Sequence, residues 1–311
     1  HAPIAVQGKE LRLDLTAALL AQRLGLLDRI GKLGPVRVPG ALPDALSYLL
    51  QAIDPNAAPL VAAIEAVLTE IAVGRLGVAD SEGAMDAPVA FPTDEDDPLD
   101  AGFAALVARA GEAGAGLGTW LASFRVRASD VQVTVAQHFI LNGPSAVMLA
   151  RSGFLADAIA WGIFVLPRRA EAELRQWLAQ CRAEIERAAT LEAARNTISQ
   201  RLLDGRWHHL AARPPTAKEA AKLGAMGPVL RSLLALVQSD DTADTVTWIE
   251  DRAASAAVRV GTSRCVDVFD ILTALQAAGH LTPGEYRDAE AKLMGFGYGN
   301  LPYDLDALLL A

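Results

Sequence analysis

The sequence predicts an α/β protein with a parallel sheet, and three stretches carry that prediction. "KELRLDLTAALLAQRLGLLDRIGKLGPVRVPGALPDALSYLL" runs strand, helix, strand, helix in one short span. A second stretch, from "FILNGPSAVMLARSGFL" to "FVLPRRAEAELR", repeats the order. The third, "DTVTWIEDR", is an apolar, β-branched run that ends in two acids. Strands that alternate with helices lie parallel, because the crossover helix returns the chain to the end of the sheet where it began.

In the first stretch "LRL" is a short strand, and "LTAALLAQRLGLLDRI" keeps apolar residues on a helical period until Gly31 and Gly34 end it. "VRVP" is a second strand. Pro43 and Asp44 then open a helix over "PDALSYLLQAI", the proline by its fixed φ and the acid by its charge on the helix dipole. "PLVAAIEAVLTEIAVGRL" adds another helix. Residues 79–100 hold eight acids, three prolines and no base, the composition of a loop. "DDPLDAGFAALVARAGEAG" reads as a helix and "FRVRASDVQVTVAQH" as alternating, strand-like sequence. Beyond the second strand–helix–strand start come long helices over "RRAEAELRQWLAQCRAEIERAATLEAARNTISQRLL". A short strand in "GRWHHLA", a Pro-rich loop and a helix in "GPVLRSLLALVQ" follow. Past "DTVTWIEDR", Thr282 and Glu285 have capping-box spacing, and "GFGYGNLP" is a turn-rich exit.

With 311 residues, 52% of them hydrophobic, the chain can bury a large core. The longest apolar run, "FLADAIAWGIFVLP", is interrupted by Asp157 and is too short to span a bilayer, so no membrane partner is expected. Cys181 and Cys265 stand 84 positions apart with no metal-ligand spacing around them. They read as buried thiols, and with no basic leader sequence a cytoplasmic location is expected. The His1–Ala2 start, without an initiator Met, raises the expectation of a piece of a longer protein. Formal charge is −9 and uneven: residues 1–136 carry 10 Lys+Arg against 17 Asp+Glu, and residues 137–311 carry 18 against 20. Such a chain has no global attraction for phosphates, so nucleic acid would need a local patch.

Residues 11–46 lie on residues 139–174 at an offset of 128 with no gap. Leu13, Ala18, Arg23, Gly25, Leu27, Gly34, Pro39 and Leu46 meet identical residues at Leu141, Ala146, Arg151, Gly153, Leu155, Gly162, Pro167 and Leu174. Either two βαβ starts look alike for generic reasons, or the chain holds an internal duplication of two tandem units, 1–136 and 137–311. Under the duplication, Asn142 stands where Asp14 stands in the first copy.

Glu250, Asp251 and Arg252 close the "VTWI" strand, at the end of a parallel sheet where ligands bind. Crowded carboxylates repel unless a cation relieves them, and a hard divalent ion with oxygen ligands would do so. The plain reading is a helix start, with the acids on the dipole and Arg252 paired locally. Asp14 closes the first strand and reads equally as a helix cap. Glu173 lies six residues past Pro167 and is a second candidate, although taken alone it reads as a solvated carboxylate among Glu171 and Arg175. Asp267 and Asp270 follow "GTSRC", where they join a site or start a helix; His208 and His209 read as structural. The sequence has no P-loop, dinucleotide fingerprint, Gly-x-Ser-x-Gly elbow or HExxH.

The pieces "LDLTAALLAQRLGLLD…VRVP", "LNGPSAVMLARSGFL…FVLPRRAEAEL" and "WIEDRAAS…VGTSRCVDVFDILTALQAAGHLTPGEYRDAEAKLMGFGY" resemble PIN-like nuclease domains, in particular the modules attached to helical-repeat proteins in bacteria. The likeness covers residues 11–46 and most of 139–311. It implies a three-layer α/β/α, Rossmann-like parallel sheet and Mg²⁺- or Mn²⁺-dependent RNA cleavage, as a module of a larger bacterial defence or stress-response protein. Carried over by position, it offers Asn142 for the first acid, Glu173 for the helix acid and Glu250 with Asp251 for the paired acids. Asp14 and Asp267 are further metal ligands under this reading. The second unit is then the more complete, since Ala45 stands opposite Glu173 in the first. An amide in place of a carboxylate keeps one oxygen ligand and loses a charge, weakening divalent binding. The rival expectation is therefore an inactive PIN-like module that binds a protein partner. A homo-oligomer or an intramolecular pair would each bury the apolar surface.

Overall fold

The computed structural model describes residues 5–79, 99–100, 104, 115–127, 138–210, 227–237, 244–250 and 264–298. It is an α/β structure whose strands fall into two compact units. One joins residues 1–53 to 187–311, and the other is the inserted segment 54–186. The units therefore do not follow the expected division at 136/137. The first is discontinuous, and the second interrupts it.

In the discontinuous unit, β1 (Glu10–Leu13), α1 (Leu15–Arg23), β2 (Val36–Val38) and α2 (Leu42–Gln51) precede the insertion. The inserted unit contributes α3 (Ala57–Ala72), β3 (Gly77–Ala79), β4 (Leu99–Asp100), α4 (Ala115–Leu121), β5 (Val126–Arg127), β6 (His138–Ile140), α5 (Gly143–Arg151), α6 (Leu155–Trp161) and β7 (Ile163–Pro167). Helix α7 (Arg168–Leu203) follows: Leu174, Leu178 and Cys181 belong to the inserted unit's core, and Leu191, Ala194 and Ile198 to the other. Then come β8 (Trp207–His209), α8 (Pro228–Val237), β9 (Thr245–Trp248), β10 (Arg264–Val266), α9 (Val268–Ala277) and α10 (Pro283–Gly295).

The discontinuous unit holds a five-stranded sheet in the order β10-β9-β1-β2-β8, every pair parallel. Leu11 faces Val36 on one side and Val246 on the other, and Leu13 faces Trp248. Side chains alternate across a strand. One sheet face therefore gathers Leu11, Leu13, Val36, Val38, Val246, Trp248 and Val266 into the core. The other face carries Glu10, Arg12, Arg37, Thr245 and Thr247. There Glu10 accepts from Arg12 Nε at 3.2 Å and from Arg37 Nε at 2.6 Å. Helix α9 buries Val268, Ile271, Leu272 and Leu275, one stripe at helical spacing, in the same core. The strand order reverses between β1 and β9, which makes that point the topological switch of the sheet.

The inserted unit repeats the strand–helix–strand start at an offset of 128. Phe139 pairs with Phe164 in β6 and β7 as Leu11 pairs with Val36 in β1 and β2. Its three-stranded parallel sheet runs β3-β7-β6, and a separate parallel pair joins β4 to β5. Aromatics replace aliphatics in its core: the Phe139 ring lies 5.8 Å from Trp161 and 5.6 Å from Phe164.

The first helix ends earlier than its apolar period implies. Gly25 takes φ +70°, its amide donates to the Gln22 carbonyl at 3.0 Å, and the Leu26 amide donates to the Ala21 carbonyl at 2.7 Å. This Schellman turn stops α1 at Arg23, and Gly31 falls in a 3₁₀ turn over Ile30–Lys32 instead of ending the helix. Gly153, at φ +79°, closes α5 through the equivalent bonds from Gly153 to Ala150 and from Phe154 to Leu149. Two further departures lie in the inserted unit. β3 continues past the predicted helix into Ala79, and Leu99–Asp100 is a strand inside the segment read as a helix. The rest of that helix and most of the strand read over 124–138 lie outside the described residues, except Ala104, which is helical.

The two copies predict unequal tolerance at one glycine. A Cβ at Gly34 would stand 2.2 Å from the Lys9 carbonyl oxygen, whereas one at the equivalent Gly162 would meet the Phe164 ring edge at 3.1 Å. Backbone cannot withdraw as a ring can. Gly34→Ala should therefore cost about 2–3 kcal/mol of stability and Gly162→Ala under about 1.5 kcal/mol in urea denaturation. Equal losses would contradict this packing.

Candidate functional site

All five strands of the discontinuous unit are parallel, so their carboxyl ends open on one edge. Asp14 follows β1, Glu250 lies two residues past β9, and Asp267 follows β10. These are three adjacent strands, each about 4.8 Å from the next. Backbone bonds continue beyond the strands: the Asp14 amide donates to the Trp248 carbonyl at 3.4 Å, and the Ile249 amide to the Val266 carbonyl at 3.4 Å. Asp14 and Glu250 thus flank the topological switch, the position where open α/β sheets bind ligands.

Each acid has local work. Asp14 is 3% exposed and caps α1, with Oδ1 accepting from the Ala17 amide at 2.7 Å and both oxygens accepting from the Thr16 hydroxyl at 2.9 and 2.7 Å. Asp267 caps α9 in a capping box with Asp270, accepting from the Phe269 amide at 3.0 Å and the Asp270 amide at 3.1 Å. Glu250 is held by side chains. Its Oε1 accepts from the Trp248 indole and its Oε2 from the Tyr298 hydroxyl. Burial pushes the Glu250 carboxyl above the ordinary carboxylate range. The like charges of Asp267 and Asp14 add to that shift, and the two donors oppose it.

Asn142 and Glu173 belong to the inserted unit, apart from the unit that holds Asp14, Glu250 and Asp267. Asn142 Oδ1 accepts from the Ser145 amide at 2.9 Å, so it caps α5 as Asp14 caps α1, 128 residues earlier. Glu173 lies on α7 with an exposed side chain that accepts from Arg169 Nε at 2.8 Å, four residues back. The paired-acid strand assigned to the second copy is thus hydrogen-bonded to β1 of the first. Asp251 lies outside the described residues. His208 and His209 are exposed on the outermost strand of the sheet, β8.

Carboxylate oxygens alone, gathered at one sheet edge, are the donor chemistry of a hard divalent cation. Among the described residues, however, no three His, Cys, Asp or Glu side chains are arranged to hold a metal ion. The donor chemistry fits such an ion, and the side-chain arrangement is not closed around one. Sequence reading missed the partners of Glu250. Trp248 was accessible to it, since residues two apart share a strand face, but Tyr298, 48 residues away, carried no signal. Comparison with protein-family models, curated proteins and solved structures returns no match. Among the described residues, no helix is long and apolar enough to cross a membrane.

The cap and the charge at residue 14 can be separated by experiment. Asparagine caps helices about as well as aspartate, so Asp14→Asn should change stability by less than about 1 kcal/mol. The substitution also removes one like charge facing Glu250 and should lower its midpoint in a carbon-13 carboxyl titration. A raised carboxyl pKa means that the folded state binds the proton more tightly. Wild-type stability therefore falls as pH rises from the unfolded carboxyl's range through the folded one, and Asp14→Asn should flatten that fall. An unmoved Glu250 midpoint would contradict the coupling.

Proposed function

We propose that the discontinuous unit is a divalent-cation-dependent phosphodiester hydrolase acting on RNA, an endoribonuclease of the PIN-like kind, with Asp14, Glu250 and Asp267 as its acidic residues. One observation carries the reading. The cap of α1 uses one oxygen of Asp14, as the amide oxygen of Asn142 serves at α5, and Asp14 also brings a second oxygen, which accepts from Thr16, and a negative charge. The extra negative charge of Asp14 is buried beside the Glu250 carboxylate, where it opposes ionisation. Buried carboxylates gathered at the ligand-binding edge of a parallel sheet, one of them with a perturbed pKa, are candidates for a functional site.

In this reading Asp14, Glu250 and Asp267, at three adjacent strand ends, are the residues that would hold the cation. A bound Mg²⁺ or Mn²⁺ would supply an activated water and stabilise charge on the phosphoryl oxygens. The protein's own residues orient the acids. The Ala17 amide and the Thr16 hydroxyl fix Asp14, and Trp248 fixes one oxygen of Glu250.

The inserted unit supports a different role for itself. Its strand end carries an amide, and Glu173 is exposed and paired with Arg169, which fits an inactive PIN-like unit used for protein interaction.

Cleavage of a labelled single-stranded RNA with Mn²⁺ is the direct test. Asp14→Asn and Glu250→Gln should each reduce the rate by about 100-fold or more, with chelation abolishing it. Glu173→Gln should change it less than about twofold, as expected for an exposed pair. Cleavage that survives both Asp14→Asn and Glu250→Gln would end this reading.

A further inference from the structure

The likeness between the two copies runs past residue 46 at a changed offset. Residues 57–79 lie on 188–210 at an offset of 131, three more than the 128 that relates 11–46 to 139–174. Leu60, Ala62, Ala63, Gly74 and Arg75 meet identical residues at Leu191, Ala193, Ala194, Gly205 and Arg206. Burial follows the same offset. Leu60, Ala63 and Val67 of α3 enter the inserted unit's core, and Leu191, Ala194 and Ile198 of α7 enter the core of the other unit. Both helices end in the same turn, on Gly74 at φ +74° and on Gly205 at φ +69°. The Gly74 amide donates to the Ile71 carbonyl and the Arg75 amide to the Glu70 carbonyl, both at 3.0 Å. The Gly205 amide donates to the Leu202 carbonyl at 3.2 Å and the Arg206 amide to the Arg201 carbonyl at 3.0 Å. Leu76 and Trp207, each buried at the next position, complete the match.

Strand pairing carries the match into the sheets, with one difference. Gly77 of β3 faces Val165 of β7, and His208 of β8 faces Arg37 of β2. Residues 77 and 208 are 131 apart and residues 37 and 165 are 128 apart, so the two pairings occupy one register. In chain order, however, β3 follows β2 and β8 follows β7. Each third strand pairs with the second strand of the other copy. The unit boundaries agree with this. The inserted unit begins at Asp54 and the discontinuous unit resumes at Arg187, 133 positions later and within two of the offset. The crossing segments differ, since Ile53–Asn56 with Pro55 separates α2 from α3, whereas α7 runs unbroken from Arg168 to Leu203.

We propose that the two copies have exchanged arms. The arm α3–β3 of the first copy completes the second copy's sheet, and the arm of β8 with the last turns of α7 completes the first's. The edges of β2 and β7 are then equivalent docking sites, each able to take either arm. Exchange of like elements is a low-cost rearrangement, because the contacts are kept and only the connection changes. Side-chain size sets the preference. A Cβ at Gly31 would stand 3.4 Å from Trp207 Nε1, so glycine leaves that space to the indole. The residue equivalent to Gly31 is Ile159, which packs on the core that holds Leu76. Returning β8 to β7 would set Trp207 against isoleucine in place of glycine, an overpacked arrangement. The inference does not depend on the nuclease reading.

Four cysteine pairs in the full chain, each with Cys181→Ala and Cys265→Ala, test the exchange. Cα partners on neighbouring strands lie within disulfide reach. In the native chain, Arg37→Cys with His208→Cys should close on mild oxidation, as should Gly77→Cys with Val165→Cys. Arg37→Cys with Gly77→Cys, and Val165→Cys with His208→Cys, report unexchanged arms and should stay open. The chain is then unfolded in urea, refolded at low protein concentration and oxidised once folded. The two unexchanged pairs should now close in roughly one molecule in a hundred or more, read by peptide mass mapping. Adding Trp207→Leu should raise the closed fraction of the Val165 and His208 pair severalfold. Closure of the unexchanged pairs in the native chain, with the exchanged pairs open, would overturn the proposal. So would unexchanged pairs that stay at their native level after refolding, both with and without Trp207→Leu.

Discussion

The pairing of β1 with β9 is the contact on which the rest of the candidate site depends. It joins Glu10–Leu13 to Thr245–Trp248, segments more than 230 residues apart in the chain. That pairing brings Asp14 beside Glu250, buries Trp248 against Leu13, and sets the point where the strand order reverses. The loop between the two strands contains the whole inserted unit. Long insertions add little closure entropy, because the cost grows only with the logarithm of loop length. What repays that cost is the apolar face of the sheet, where Leu11, Leu13, Val246 and Trp248 leave water together.

The two strand–helix–strand copies act as an internal control for the site. Their strand registers coincide at the offset of 128, both first helices end in a Schellman turn on glycine, and both begin on a side-chain cap. Whatever these features require, they require it twice. The copies differ at the capping residue itself. Residue 14 keeps a carboxylate beside Glu250, and residue 142 carries an amide. The charge at residue 14 is buried and stands close enough to Glu250 to oppose its ionisation.

Much of this was legible in the sequence. Apolar runs that end in acids located β1, β9 and the residues at their carboxyl ends, because a parallel strand presents its last residues at one edge of the sheet. Cap spacing at Thr282 and Glu285 read directly as the box that the structure contains. The division into units did not read, because strand order across a sheet is decided by pairing and not by chain order. Placing Glu250 in the second copy treated neighbours in sequence as neighbours in space. The end of α1 misled for a local reason. "LGLLDRI" stays on a helical period, and the left-handed Gly25 ends the helix regardless. The turn at Gly297 was legible in the turn-rich "GFGYGNLP", but the reach of Tyr298 to Glu250 was not, since it depends on packing contacts between segments distant in the chain.

The most direct test of the account is a crystal of the chain soaked in Mn²⁺ and read by anomalous scattering. The account predicts a peak within coordination distance of the Asp14 and Glu250 carboxylates at the carboxyl ends of β1 and β9. A well-ordered crystal with no peak there, or with its peak on Asn142 and Glu173 instead, would contradict it.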